Sequence, residues 1–182
     1  MKNKIHPTAI IYDNVTIGKN VYIGPYSIIG APAEMEEYFF DQEGKGVMIC
    51  DNTVITGHCT IDEGFKEQTI IGKDCFLMKH THIGHDSILD NNVTISAGAI
   101  IAGHVRLCQY STVGINASVH QMTTIAPGTM IGMGSVVTKN HRTGPFDTMF
   151  GAPAKRIGTN KFLKNKLTKD QIESMTSEFL ES

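Results

Sequence analysis

The chain has 182 residues and a formal charge of −2, a length that suits one domain with an appendage. That balance offers no basic surface for nucleic acid or anionic lipid, and no apolar run reaches the roughly 18 residues of a membrane span. The start, MKNKIHPTA, is polar and enters a repeat at once, so no signal peptide is read and a cytoplasmic protein is expected.

A six-residue period begins with the first residues. Ile5, Ile11, Ile17, Ile23 and Ile29 keep one phase, and Ala9, Val15, Val21 and Ser27 fill the slots between them. From Ala31 to Gly46 the period stops. This acidic stretch, APAEMEEYFFDQEGKG, holds the aromatics Tyr38, Phe39 and Phe40, and predicts a corner loop that packs on a ligand or a second subunit. Ile49, Ile55 and Ile61 resume the period, and a shorter break at Gly64–Thr69 shifts its phase again. From Ile71 to Val137 a branched aliphatic then recurs at every sixth place without a slip. Four places after each, from Cys75 to Ser135, stands a small or β-branched residue.

A run this long in one phase is a hexapeptide repeat, the sequence sign of a parallel β-helix. Each hexad predicts one short strand and one turn, with the aliphatic and the small residue both pointing inward. Three hexads close a coil, so residues eighteen apart share a column, as Ile83, Ile101 and Val119 do. The expected organisation is an all-β solenoid over residues 1–150, interrupted at 31–46 and 64–69, and an extension over 151–182 with one helix. Thr168 and Gln171 are spaced for a capping box, and Leu167 and Ile172 for a hydrophobic staple. Ile172, Met175, Phe179 and Leu180 follow helical spacing. Such a helix must lie on the solenoid or on a partner chain. Cys59 and Cys75 take inward small slots, Cys50 and Cys108 each follow an inward aliphatic, and no CxxC occurs. These read as structural thiols of a reducing compartment.

The chemistry is expected among the histidines. His80, His82, His85, His104 and His120 fall in the regular stack, with His58 just before it, and none takes an inward slot. Outward imidazoles suit general base catalysis, with Asp86 placed beside His85 to orient its ring. They also suit a metal site shared between chains, because a flat prism face does not converge ligands within one chain. An outward histidine that is merely solvated or packed at an interface is the plainer alternative.

The segment from Leu77 to Gln121, with HIGHD, AGHV and VHQ, resembles the core of the UDP-N-acetylglucosamine O-acyltransferase family of lipid A biosynthesis. With the N-terminal IHPTAII and IGP, the resemblance covers most of the chain. It implies a left-handed parallel β-helix, against the general preference for right-handed crossovers, and a homotrimer with active sites between adjacent prisms. It implies His85 as general base, Asp86 as its supporting acid and the Gly103 backbone N–H as an oxyanion donor. His82, His104, His120 and Gln121 match residues that line the substrate cleft. Asn160, Lys164 and Lys166 match more loosely, as contacts to the donor arm or the acceptor phosphates. Met133 falls at the position that acts as an acyl-chain ruler, where a bulky side chain implies a shorter chain than glycine does. The donor implied is an acyl-carrier-protein or CoA thioester, the acceptor a nucleotide-linked sugar, and no cofactor or metal is bound.

Three departures from the family pattern bear on the acceptor. The stretch Glu34–Tyr38 offers no lysine to grip a hexosamine. The helical tail is short. GAPAKRIG is similar to the exit segment of hexapeptide acetyltransferases. These features also suit a nucleotide-amino-sugar N-acetyltransferase using acetyl-CoA. A γ-type carbonic anhydrase shares the fold, and His80 with His85 gives the spaced pair it needs, but no histidine precedes them at the required distance. A non-catalytic scaffold has no need of HIGHD and AGHV in successive coils.

Overall fold

The computed structural model describes residues 2–36, 42–139 and 142–181, so Tyr38, Phe39 and Phe40 lie outside the described residues. Among the described residues, 22 short strands form three sheets of nine, seven and six strands, the faces of a triangular prism. The first face contains Phe76–Leu77, the second His82–Ile83 and the third Ile88–Leu89. Through the regular stack each strand pairs in parallel with the strands one coil above and below, as Leu77 pairs with Ile95 and Ile95 with Val113.

The hexad explains this geometry residue by residue. Leu77, Ile83, Leu89, Ile95 and Ile101 are wholly buried in the column, and the small residues Thr81, Ser87 and Ala99 fill the narrow space behind each corner. The corners obey a further rule. Asp74, His80, Asp86, Asn92, Gly98, His104, Tyr110 and Asn116 recur at every sixth place with positive φ. Asparagine, aspartate, histidine and glycine tolerate that left-handed conformation better than other residues do. Stability is therefore close to a sum over neighbouring coils.

The two breaks are absorbed at corners and leave the inward columns in register. Ile29 pairs with Ile61 across the longer one, and Ile61 with Ile83 across the shorter. At the far end GAPAKRIG forms a hairpin, with Lys155–Thr159 antiparallel to Asp147–Phe150. A short helix α1 (Lys161–Lys164) and then α2 (Lys169–Leu180) follow. The capping box of α2 is formed: the Gln171 N–H donates to Thr168 Oγ1 at 3.2 Å, and the Thr168 N–H to Gln171 Oε1 at 2.9 Å. Met175 is buried, and a crevice lined by Asp90, Arg106 and Thr124 together with Met175 and Phe179 shows that α2 lies along the chain's own third face. Burial pushes the Cys75 thiol up to about 12 and the Cys108 thiol up to about 11, so both are poor nucleophiles near neutrality. No helix among the described residues is long and apolar enough to cross a membrane.

Candidate active site

The corner between the second and third faces stacks His85–Asp86, Gly103–His104 and Gln121–Met122 in three successive coils. Coil-to-coil bonds hold this register: the His104 N–H donates to the His85 carbonyl at 2.9 Å, and the Met122 N–H to the Gly103 carbonyl at 3.1 Å. Positive φ at Asp86 and His104 is what the corner imposes on both residues.

Asp86 is the best-satisfied side chain of the corner. Its carboxylate accepts the backbone N–H groups of Lys66 at 2.7 Å, Glu67 at 2.5 Å and Phe65 at 3.2 Å. All three donors come from the short break at Gly64–Thr69, which therefore clamps the acid as well as shifting the phase. Asp86 Oδ2 also lies 2.6 Å from His85 Nδ1. Burial alone raises a carboxyl pKa, but the bonds from Glu67, His85, Phe65 and Lys66 outweigh it and hold Asp86 below its ordinary value. An ionised carboxylate only accepts, so the His85 proton sits on Nδ1 and the Nε2 lone pair is left bare. The His85 side chain is 17% exposed, enough for an incoming group to reach it.

Gly103 lies beneath that nitrogen. A Cβ at Gly103 would come within 2.7 Å of His85 Nε2 and 2.8 Å of its Cε1, so no larger residue leaves the ring where it is. Among the described residues the Gly103 N–H donates no backbone hydrogen bond to another part of the chain. The His104 ring meets the His85 ring edge-on at 5.0 Å between centroids, and its Nε2 lies 3.7 Å from Asp86 Oδ2.

His82 stands on the strand that leads into this corner. Its Nδ1 is 2.8 Å from Thr60 Oγ1, and its Nε2 is 3.7 Å from Asp62 Oδ2. Burial lowers the His82 pKa, with the Glu34 charge opposing and the His85 charge assisting. Asp62 is 4% exposed, and its Oδ2 has no hydrogen-bond partner among the described residues. Burial and the Glu34 charge push its carboxyl up to about 7, against a smaller lowering by a hydrogen bond from the Glu34 backbone. Thr60, Asp62 and the Phe65–Glu67 backbone escaped the reading from sequence. The only available signal was that the second break falls one coil before HIGHD.

The remaining expected site residues scatter within the chain. His120 is exposed, with Nδ1 3.0 Å from the carbonyl of Gln121, which continues the corner column. Met133 lies at a different corner, between the first and second faces; it is 64% exposed, as is Ile115 to 47% one coil before. Asn160 is spent on the fold: its Nδ2 donates to the Gly128 carbonyl at 3.0 Å, and its Oδ1 accepts the Leu163 N–H that caps α1. Lys164 sits over the Phe146 ring and Lys166 over the Phe162 ring, near the corner that joins the third face to the first.

One expectation needs correcting. Ligand atoms of His85, Asp86 and His104 lie within 4.8 Å of one another in a single chain. A flat face does not converge side chains, but a corner does. Asp86 is already committed to three N–H donors and His85, so a cation there would have to break those bonds.

Coils, columns and corners define the class: this is a hexapeptide-repeat parallel β-helix, left-handed like its solved neighbours. The family described as bacterial transferase hexapeptide (six repeats) matches residues 2–31 and 68–103. Within that class the chain resembles the UDP-N-acetylglucosamine O-acyltransferases. It is 29% identical over 172 residues to the acyl-[acyl-carrier-protein]–UDP-N-acetylglucosamine O-acyltransferase of Campylobacter concisus, covering 92% of this chain and 64% of that one. To the enzyme of the same name from Nautilia profundicola it is 32% identical over 175 residues, covering 92% and 66%. The solved UDP-N-acetylglucosamine acyltransferase of Bacteroides fragilis superposes with a TM-score of 0.85 at 25% identity, covering 97% of this chain and 69% of that one. The chain thus spans slightly under two thirds of the first two relatives.

Proposed function

We propose that the chain is an acyltransferase that moves an acyl group from an acyl-carrier-protein or CoA thioester to a nucleotide-linked sugar, in lipid A or surface-polysaccharide synthesis. The observation that carries this reading is the His85–Asp86 pair, with a bare Nε2 over Gly103. His85 takes the proton of the acceptor as the acceptor attacks the thioester carbon. The Gly103 N–H receives the oxyanion. The C–S bond then breaks, and the thiol leaves with the proton carried by His85. His82, His104, His120 and Gln121 line the acceptor side. The names of the relatives support an acyl-carrier-protein donor and a UDP-N-acetylglucosamine-like acceptor.

The acyl chain is measured at Met133. Because Met133 and His85 occupy different corners of one prism, a single acyl chain meets both most directly in a cleft between neighbouring protomers. This supports a homotrimer, with Lys164 and Lys166 offered to a neighbour's cleft. Replacing Met133 by glycine shifts the preferred donor to longer chains in a thioester panel; an unchanged preference rejects the ruler.

The test of the activity is thiol release from acyl-CoA and acyl-carrier-protein thioesters in the presence of nucleotide sugars, with products identified by mass. Release that requires the sugar and collapses in His85→Ala, with the assembly intact, supports acyl transfer. Metal analysis of untagged protein addresses the His85–Asp86–His104 cluster: stoichiometric zinc with no acyl transfer turns the reading toward metal chemistry.

A further inference from the structure

Beside the His85 corner the protein leaves a buried carboxyl oxygen without a partner. Asp62 Oδ2 is buried and has no partner among the described residues, and it faces the His82 ring at 3.7 Å. That ring does not neutralise it. His82 Nδ1 is engaged with Thr60, and burial disfavours its protonated form. The charges that reach Asp62 and His82 belong to Glu34 and His85, and no lysine or arginine is among them. The neighbouring acid Glu63 is turned to a separate partner, Asn14. Glu34 itself is exposed, at the start of the longer insertion. The wall thus has an outer carboxylate open to solvent, an inner carboxyl with an unpartnered oxygen, and a histidine, leading to the base, whose protonated form burial disfavours.

An unpaired buried carboxylate is costly, so Asp62 tends to keep its proton, and a ligand that brings a positive charge lets it ionise. A neutral hydroxyl does so only weakly. We propose that Glu34 and Asp62 form an anionic subsite that selects an acceptor sugar carrying a protonated amine at the position to be acylated. The proposal rests on the acyl-transfer reading and makes the product an amide. Glu34 meets the ammonium directly, and Asp62 acts on it from beneath, through the field around His82. The step balances. The ammonium gives one proton to His85, and the freed amine attacks the thioester carbon. The N–C bond forms and the C–S bond breaks. The second amine proton goes to the departing thiolate, and His85 returns its proton to water.

The experiment uses the full chain and UDP-N-acetylglucosamine beside analogues in which each sugar hydroxyl in turn is replaced by an amine, with one acyl donor throughout. Wild type is expected to favour one amine analogue over the parent sugar in kcat/KM. Glu34→Gln and Asp62→Asn are each expected to lower that ratio by about tenfold, chiefly through KM for the amine. Glu34 is exposed, so loss of fold does not confuse its result. A wild type that favours the hydroxyl, or variants that leave the ratio unchanged, would overturn the subsite. Hydroxyl transfer that needs His85 without amine preference sinks the subsite alone. Silence on every acceptor removes both the subsite and the activity it rests on.

Discussion

Two aspartates stand beside two histidines within one turn of the solenoid, and the protein treats them in opposite ways. Asp86 at the corner receives three backbone N–H groups and His85 at 2.6 Å. Asp62 on the second face keeps one oxygen with no partner among the described residues and stands 3.7 Å from His82. Hydrogen bonds hold the first carboxyl below its ordinary value, while burial and a neighbouring charge push the second up to about 7. The difference teaches which pair is complete. Asp86 is built to orient a base with nothing added, whereas Asp62 Oδ2 gains a partner only when something else arrives.

The largest effect should come from the complete pair. His85→Ala is expected to lower acyl transfer by about 10²–10⁴-fold, the usual range for a lost general base, with the melting temperature little changed. His82→Ala is expected to act mainly through KM of the acceptor. Equal loss of kcat in both variants would mean that the two histidines share the base role, and the contrast would fail. Asp86→Asn comes next, at about 10²-fold in kcat, because an amide no longer fixes the proton on Nδ1. It also turns an NH₂ donor toward donors from Phe65, Lys66 and Glu67, so it should destabilise the Gly64–Thr69 segment, as amide hydrogen exchange there would report. The native bonds hold Asp86 ionised. The stability they contribute is present above the ordinary carboxylate pKa and is lost as pH falls through the lowered one.

Gly103→Ala is expected to cost about tenfold in kcat with the fold retained, since the new Cβ must push the His85 ring off its place. Glycine here answers to the ring above it. The sequence made the column legible, because His85 and Gly103 are eighteen residues apart in an unbroken phase. The prism, its inward residues and the α2 capping box were readable for the same reason: they are local rules repeated. The clamp on Asp86 was not readable, because three backbone N–H groups of an irregular loop carry no side-chain signature. Nor was the orphaned oxygen of Asp62, which depends on where Glu34 and His82 come to rest. Asn160 is ambiguous in the opposite sense, since a polar residue after a strand reads equally as a ligand or as a helix cap, and the structure shows the capping role.

The smallest effect sharpens the contrast most, because its sign is opposite for the two acids. A folded-state pKa near 7 for Asp62 means that the native chain holds this proton while the unfolded chain has already released it. Unfolding therefore gains an advantage as pH rises from about 4 to about 7, and retains it above. The Glu34 charge and the His82 ring both act on the carboxyl through that range. Asp62→Asn removes the ionisation and keeps the shape. It is expected to raise the melting temperature by a few degrees at pH 8 and to leave it nearly unchanged at about pH 2.5, well below the ordinary carboxylate pKa, where Asp62 is protonated in both states. Asp86→Asn should do the reverse at pH 8, lowering the melting temperature. If Asp62→Asn is destabilising at pH 8, the oxygen has a partner in solution, and the charge next to His82 is already balanced before any acceptor binds.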